Sequence, residues 1–109
     1  MFLFGKKRKE RKQFEYFSKC AEMGIPEAMY NLFMCYHKGI GVERNDACAM
    51  EWLIKAAEAG NDGAEDMLFF LTNPSYDHYP EKVKAQLDQY FAKKEAEKQA
   101  LLEKLMQET

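Results

Sequence analysis

Ala21-Glu22-Met23-Gly24 returns thirty-six positions later as Ala57-Glu58-Ala59-Gly60. The echo extends outward from that pair. Ala28 is answered by Ala64, Leu32-Phe33 by Leu68-Phe69, Glu15 and Lys19 by Glu51 and Lys55, and Tyr16 by Trp52. A fixed period of this size marks an array of helical repeats, in which each unit buries its apolar face against the next. The glycines fall where the apolar spacing stops, as suits a residue that must turn left-handed just past a helix end.

Within each period the apolar residues recur at three and four, the spacing of one helix face. Phe14, Phe17, Cys20 and Ala21 predict a first helix from near Lys6 to Gly24. Pro26, suited to a first helical turn, opens a second with Ala28, Leu32, Cys35 and Tyr36 inside. After the Gly39-Ile40-Gly41-Val42 loop, Asn45 or Asp46 caps a third helix that buries Ala49, Met50, Leu53, Ile54 and Ala57. Asn61-Asp62 opens a fourth through Ala64, Met67, Leu68 and Leu71. A turn-rich link, Asn73 to Pro80, leads into a last helix with Val83, Leu87, Tyr90 and Phe91 inward. Run to residue 109, that helix would reach roughly 45 Å, far longer than the others. The predicted fold is all-α: a short solenoid of antiparallel helix pairs, about five helices, ending in a long C-terminal helix.

At 109 residues the whole chain reads as a single helical repeat domain. Residues 1–12 form a basic arm or the start of the first helix, and residues 92–109 a polar, then apolar, C-terminal extension. The arm carries six basic residues between Lys6 and Lys12 against Glu10 alone, while the whole chain stands at −2. A basic end therefore sits on an acidic body. The small net charge argues against a general attraction to nucleic acid. The apolar opening Met1-Phe2-Leu3-Phe4 is too short for a signal sequence, and no stretch approaches the ~20 apolar residues of a membrane-spanning helix. A cytoplasmic protein with no integral membrane part is expected.

Cys20, Cys35 and Cys48 show no paired metal-ligand spacing and are expected as buried free thiols in a reducing compartment. Gly39-Ile40-Gly41 lacks the further glycine and lysine of a phosphate loop. His78 follows Asp77, but adjacent residues seldom face each other, and no nucleophile is placed by a motif. No enzyme activity, metal or cofactor is expected.

The residues Ala21-x-x-Gly24, Ala28-x-Tyr30-Asn31-Leu32, Tyr36, Gly39-x-Gly41-Val42, Ala49-x-x-Trp52 and Lys55-Ala56-Ala57-x-x-Gly60 resemble the Sel-one-like repeat family, kin of the tetratricopeptide repeats. The resemblance covers one complete repeat and partial copies on either side, about residues 13–91. Two departures stand out. Phe33, and its copy Phe69, replace the family's small glycine, which implies wider helix spacing or a plugged groove. The Asn73–Pro80 link replaces the second glycine loop, which implies that the array ends there. The resemblance implies a bacterial adaptor or scaffold that binds proteins.

The residues themselves lead to the same expectation. Opposite the core face of the second helix lie Tyr30 and Met34, and one period later Asp66 and Phe70. Tyr30, Met34 and Phe70 would line the inner curve of the solenoid as an aromatic and thioether stripe, residue types favoured where partners bind. Leu101 and Leu105, with Leu102 and Met106, form a second apolar stripe that either packs back on the array or meets another chain. The expected function is protein–protein binding, to a partner protein or a peptide, as adaptor, scaffold or neutraliser. The alternatives are a nucleic-acid or anionic-membrane contact through the basic arm, and a structural homodimer through the C-terminal helix.

Overall fold

The computed structural model describes residues 2–108, with side chains from Gly5 onward. Met1, Thr109 and the side chains of Phe2, Leu3 and Phe4 lie outside it, and with them the reading of the apolar opening. Five helices follow one another: α1 (Phe2–Glu22), α2 (Pro26–Lys38), α3 (Asp46–Glu58), α4 (Asp62–Thr72) and α5 (Glu81–Gln107). No strand occurs among the described residues. α1 starts four residues earlier than the spacing predicts. Gly5 weakens that extra turn without supplying a stop signal.

The thirty-six-residue period is a period of hydrogen bonds. Gly24 N–H donates to the Ala21 carbonyl at 2.9 Å and Ile25 N–H to Cys20 at 3.2 Å. One period later Gly60 donates to Ala57 and Asn61 to Ala56, both at 3.0 Å. Both glycines are left-handed, with φ of 88° and 93°. Each new helix then begins on a cap or a proline. Asn45 Oδ1 accepts from Cys48 N–H at 3.0 Å, Asn61 Oδ1 from Ala64 N–H at 2.8 Å, and Pro26 occupies the first turn of α2.

The main core joins α2, α3, α4 and α5 through Phe33, Met50, Leu53, Leu68 and Leu87. A smaller one joins α1 to α2 through Ala21, Ala28 and Leu32, and Trp52 packs against both. Alanines at 28, 49, 56, 57 and 64 are almost fully buried, so the helix backbones come close without a large side chain between them. The loop between α2 and α3 also presses on α1. A Cβ placed on Gly41 would lie 2.9 Å from Phe14 Cβ and meet the Glu10 carbonyl. Gly41 is thus required both by its φ of 73° and by the space it leaves.

α5 departs from the repeat. It packs chiefly on α3, running parallel to it, where a regular repeat would place it as the hairpin partner of α4. Lys82 reaches Glu51 at 3.8 Å, and Lys94 reaches Glu65 of α4 at 3.2 Å. Every residue from Ala92 to Glu108 is exposed. The last seventeen described residues therefore project past the end of α3, and the molecule measures 67 × 28 × 19 Å. Leu101 and Leu105 lie eighteen residues after Val83 and Leu87, about five turns, so the projecting stripe continues the face that packs on α3.

Two comparisons test this packing by urea unfolding. Gly41→Ala should lose at least about 2 kcal/mol, whereas Gly24→Ala, with open space around its Cβ, should lose only the left-handed backbone cost of about 1 kcal/mol. Equal losses would remove the close approach to α1. Leu87→Ala should cost about 2–5 kcal/mol and Leu105→Ala less than about 0.5 kcal/mol. A large loss from the second would show that the projecting turns fold back.

Candidate protein-binding surface

Along α2 every turn has a neighbour. Phe33 is 1% exposed and sits in the main core beside Ala49 and Met50. Its ring lies 5.6 Å from Tyr30 and stacks on His37 at 5.3 Å. Tyr30 and Met34 are half-buried and pack against the same core. They contribute an edge to the inner surface and not a free stripe, because helices inside an array are covered on several sides.

One period on, the same sequence positions meet a different environment. Phe69, the copy of Phe33, is 65% exposed, and Phe70, the copy of Met34, is 73% exposed. α5 lies over α3, so α4 lacks the close hairpin partner that α3 gives α2. Asp66, Phe69, Phe70, Leu71 and Asn73 line an open groove of about 660 Å³. Asp66 and Phe70, both singled out in the sequence, are thus brought together, while Tyr30 and Met34 stand apart from this groove. Phe69 was not singled out as a binding residue. The signal that bears on it is the missing second glycine loop, which leaves α5 without the tight turn that closes a hairpin.

The electrostatics of this face are one-sided. α4 carries Asp62, Glu65 and Asp66 and no lysine or arginine. Glu65 is neutralised by Lys94, whereas Asp62 and Asp66 have no ion-pair partner among the described residues. An apolar patch bordered by free carboxylates favours a basic, amphipathic partner.

Leu101 and Leu105, 58% and 51% exposed, sit on the projecting end of α5, remote from the groove in sequence and beyond the Lys94–Glu65 contact. In the basic arm, Lys6, Lys7, Arg8, Lys9, Arg11 and Lys12 are all exposed, with no ion pair to a described residue.

A second cavity, about 300 Å³, opens where α2 and α4 end and α3 and α5 begin. Phe33, Met50 and Leu71 form its apolar wall, with His37, Asp46 and His78 at its polar edge. His37 Nδ1 lies 3.7 Å from Asp46, whose other oxygen pairs with Arg44 at 3.2 Å. Burial, and then the Asp46 charge, push the Tyr79 phenol above its ordinary range. No serine, threonine or cysteine is among the described residues lining this cavity, and the His78 ring packs 4.2 Å from Tyr79.

All three cysteines are free, but only Cys35 is buried; Cys20 and Cys48 are half-buried, because each lies at the border of its helix's packed face. Burial, and then Glu10, push the Cys35 thiol up, which disfavours the reactive thiolate. No group of three histidine, cysteine or acidic side chains among the described residues could hold a metal ion. No helix among the described residues is long and apolar enough to cross a membrane.

Residues 26–61 match the family model of the Sel1 repeat, in agreement with the resemblance read from the sequence. A stretch of 64 residues is 38% identical to part of the rat (Rattus norvegicus) protein DAP3-binding cell death enhancer 1. That stretch covers 59% of this chain and 13% of the relative's length. No solved structure matches. Sel1 repeats are in general protein-interaction modules.

The divergence of the two phenylalanines has a thermodynamic signature. Phe33→Ala should cost about 3–5 kcal/mol in urea unfolding. Phe69→Ala should stay within about 0.5 kcal/mol of wild type. A comparable loss at both positions would mean that α5 covers α4 in solution and closes the groove.

Proposed function

We propose, from the Sel1 repeat at residues 26–61 and the open flank beside it, that this chain is a protein-binding module whose principal contact surface is the outer side of α4. The observation that carries this reading is the contrast between Phe33 and Phe69. They occupy one position in successive copies, and only the first has a neighbour. A face built to receive a helix thus remains available.

Recognition follows from what that face offers. Phe70 and Phe69 supply the apolar area, and burying each gives about 1.5–3 kcal/mol before the cost of association. Asp66 at the rim selects orientation and disfavours acidic partners. Tyr30 and Met34, half-buried on α2, add only an edge that stands apart from this groove. The partner is a helix or peptide of another protein, so the chain acts as an adaptor, a scaffold or a neutraliser. The rat relative carries a binding function in its own name. The projecting stripe with Leu101 and Leu105 is a second, separate contact surface. Recognition alone accounts for these features and needs no catalytic group.

Affinity capture from a lysate of the source cells tests the assignment. A Phe69→Glu/Phe70→Glu variant that melts like the wild type should lose, at least about tenfold, a protein that the wild type retains. A Leu101→Glu/Leu105→Glu variant should retain it. Undiminished retention by the first variant would exclude α4 as the contact surface.

A further inference from the structure

Two helix faces in this array lack a neighbour among the described residues. The first is the Phe69 side of α4. The second is on α1. In α3, Ala49 and Ala56 are almost fully buried and Trp52 is half-buried, packed against the cluster that holds Leu32 of α2. Their counterparts on α1, one period earlier, are Gln13, Tyr16 and Cys20. Tyr16 is 64% exposed, and no described helix packs on it as α2 packs on Trp52 of α3.

The two faces are opposite in charge. α4 offers Asp62 and Asp66 without ion-pair partners among the described residues and has no basic residue of its own. α1 presents Lys9 and Lys12 on the same side as Tyr16, at helical spacing, also without ion-pair partners among the described residues. The faces also match in kind. α4 has the register of a first repeat helix without a close hairpin partner, and α1 has the register of a second repeat helix with its Tyr16 side uncovered among the described residues.

We propose that the occupant of the α4 face is a second copy of this chain, seated head to tail, with its Lys9–Lys12–Tyr16 side against Asp66, Phe69 and Phe70. The inference rests on the reading of α4 as a protein-binding face and names its partner. Each copy uses a different face at each end, so the contact is heterologous and lengthens into open chains where a two-fold pairing would stop at two. Opposed charges strengthen the contact at low salt and weaken it as salt rises.

The test uses the purified 109-residue chain in sedimentation velocity. The mass should rise above 12.8 kDa with concentration and fall back with added salt. A Phe69→Glu/Phe70→Glu variant keeps only the α1 face, and a Lys9→Glu/Lys12→Glu variant keeps only the α4 face. Each, with a wild-type melting curve, should be monomeric alone. Mixed in equal amounts they should form a 1:1 complex that grows no further. A wild type that stays monomeric at every concentration overturns the proposal, as does association of either variant alone. A mixture that stays monomeric while the wild type associates overturns the head-to-tail arrangement. If the wild type is monomeric but Phe69→Glu/Phe70→Glu still abolishes capture of another protein, self-association fails and α4 remains the binding surface.

Discussion

A helix in a stacked array has to bury a face on each side, and a finite array always has outermost helices with a neighbour on one side only. Much of this molecule follows from that constraint. The interior helices α2 and α3 are covered by apolar neighbours through most of their circumference, which is why Phe33, Met50 and Leu53 are almost fully enclosed. α1 and α4 carry the same kinds of side chain in the same register and leave some of them in water. Terminal repeats of solenoids usually replace such residues with polar ones. Here Tyr16, Phe69 and Phe70 are retained and stand 64%, 65% and 73% exposed.

Local rules were legible in the residues. The glycine stops at Gly24 and Gly60, the asparagine caps at Asn45 and Asn61, and the inward faces of α3 and α5 all depend on interactions within a few residues or on a single helix period. These are also the interactions that repeat with the sequence: Ile25 bonds to Cys20 as Asn61 bonds to Ala56. The resemblance to a known repeat rested on the same positions and held for the same reason.

The environments of Phe33 and Phe69 were not legible, because two identical residues in identical registers differ only through the path of α5. That path is set by a link, Asn73 to Pro80, that has no copy elsewhere in the chain to compare with. The half-burial of Tyr30 and Met34 has a similar origin. Spacing puts them opposite the core face of α2, but a second layer of contacts reaches them from the neighbouring elements. The half-buried cysteines at 20 and 48 show the same limit, since helix spacing separates inside from outside and gives no depth.

α3 shares an interface with α2, with α4 and with α5, whereas α1 and α2 meet each other at one side only. In a long repeat array each unit touches its two neighbours, so the chain can fray from an end while the remainder stays folded. Here the central helix is common to almost every interface, and loss of α3 would leave α4 and α5 with no principal surface to rest on. The domain is in this sense closer to a small globular bundle than to a segment cut from a long superhelix. Amide hydrogens of α2, α3 and α4 should therefore share one cooperative opening, and those of the projecting turns of α5 should exchange independently of it.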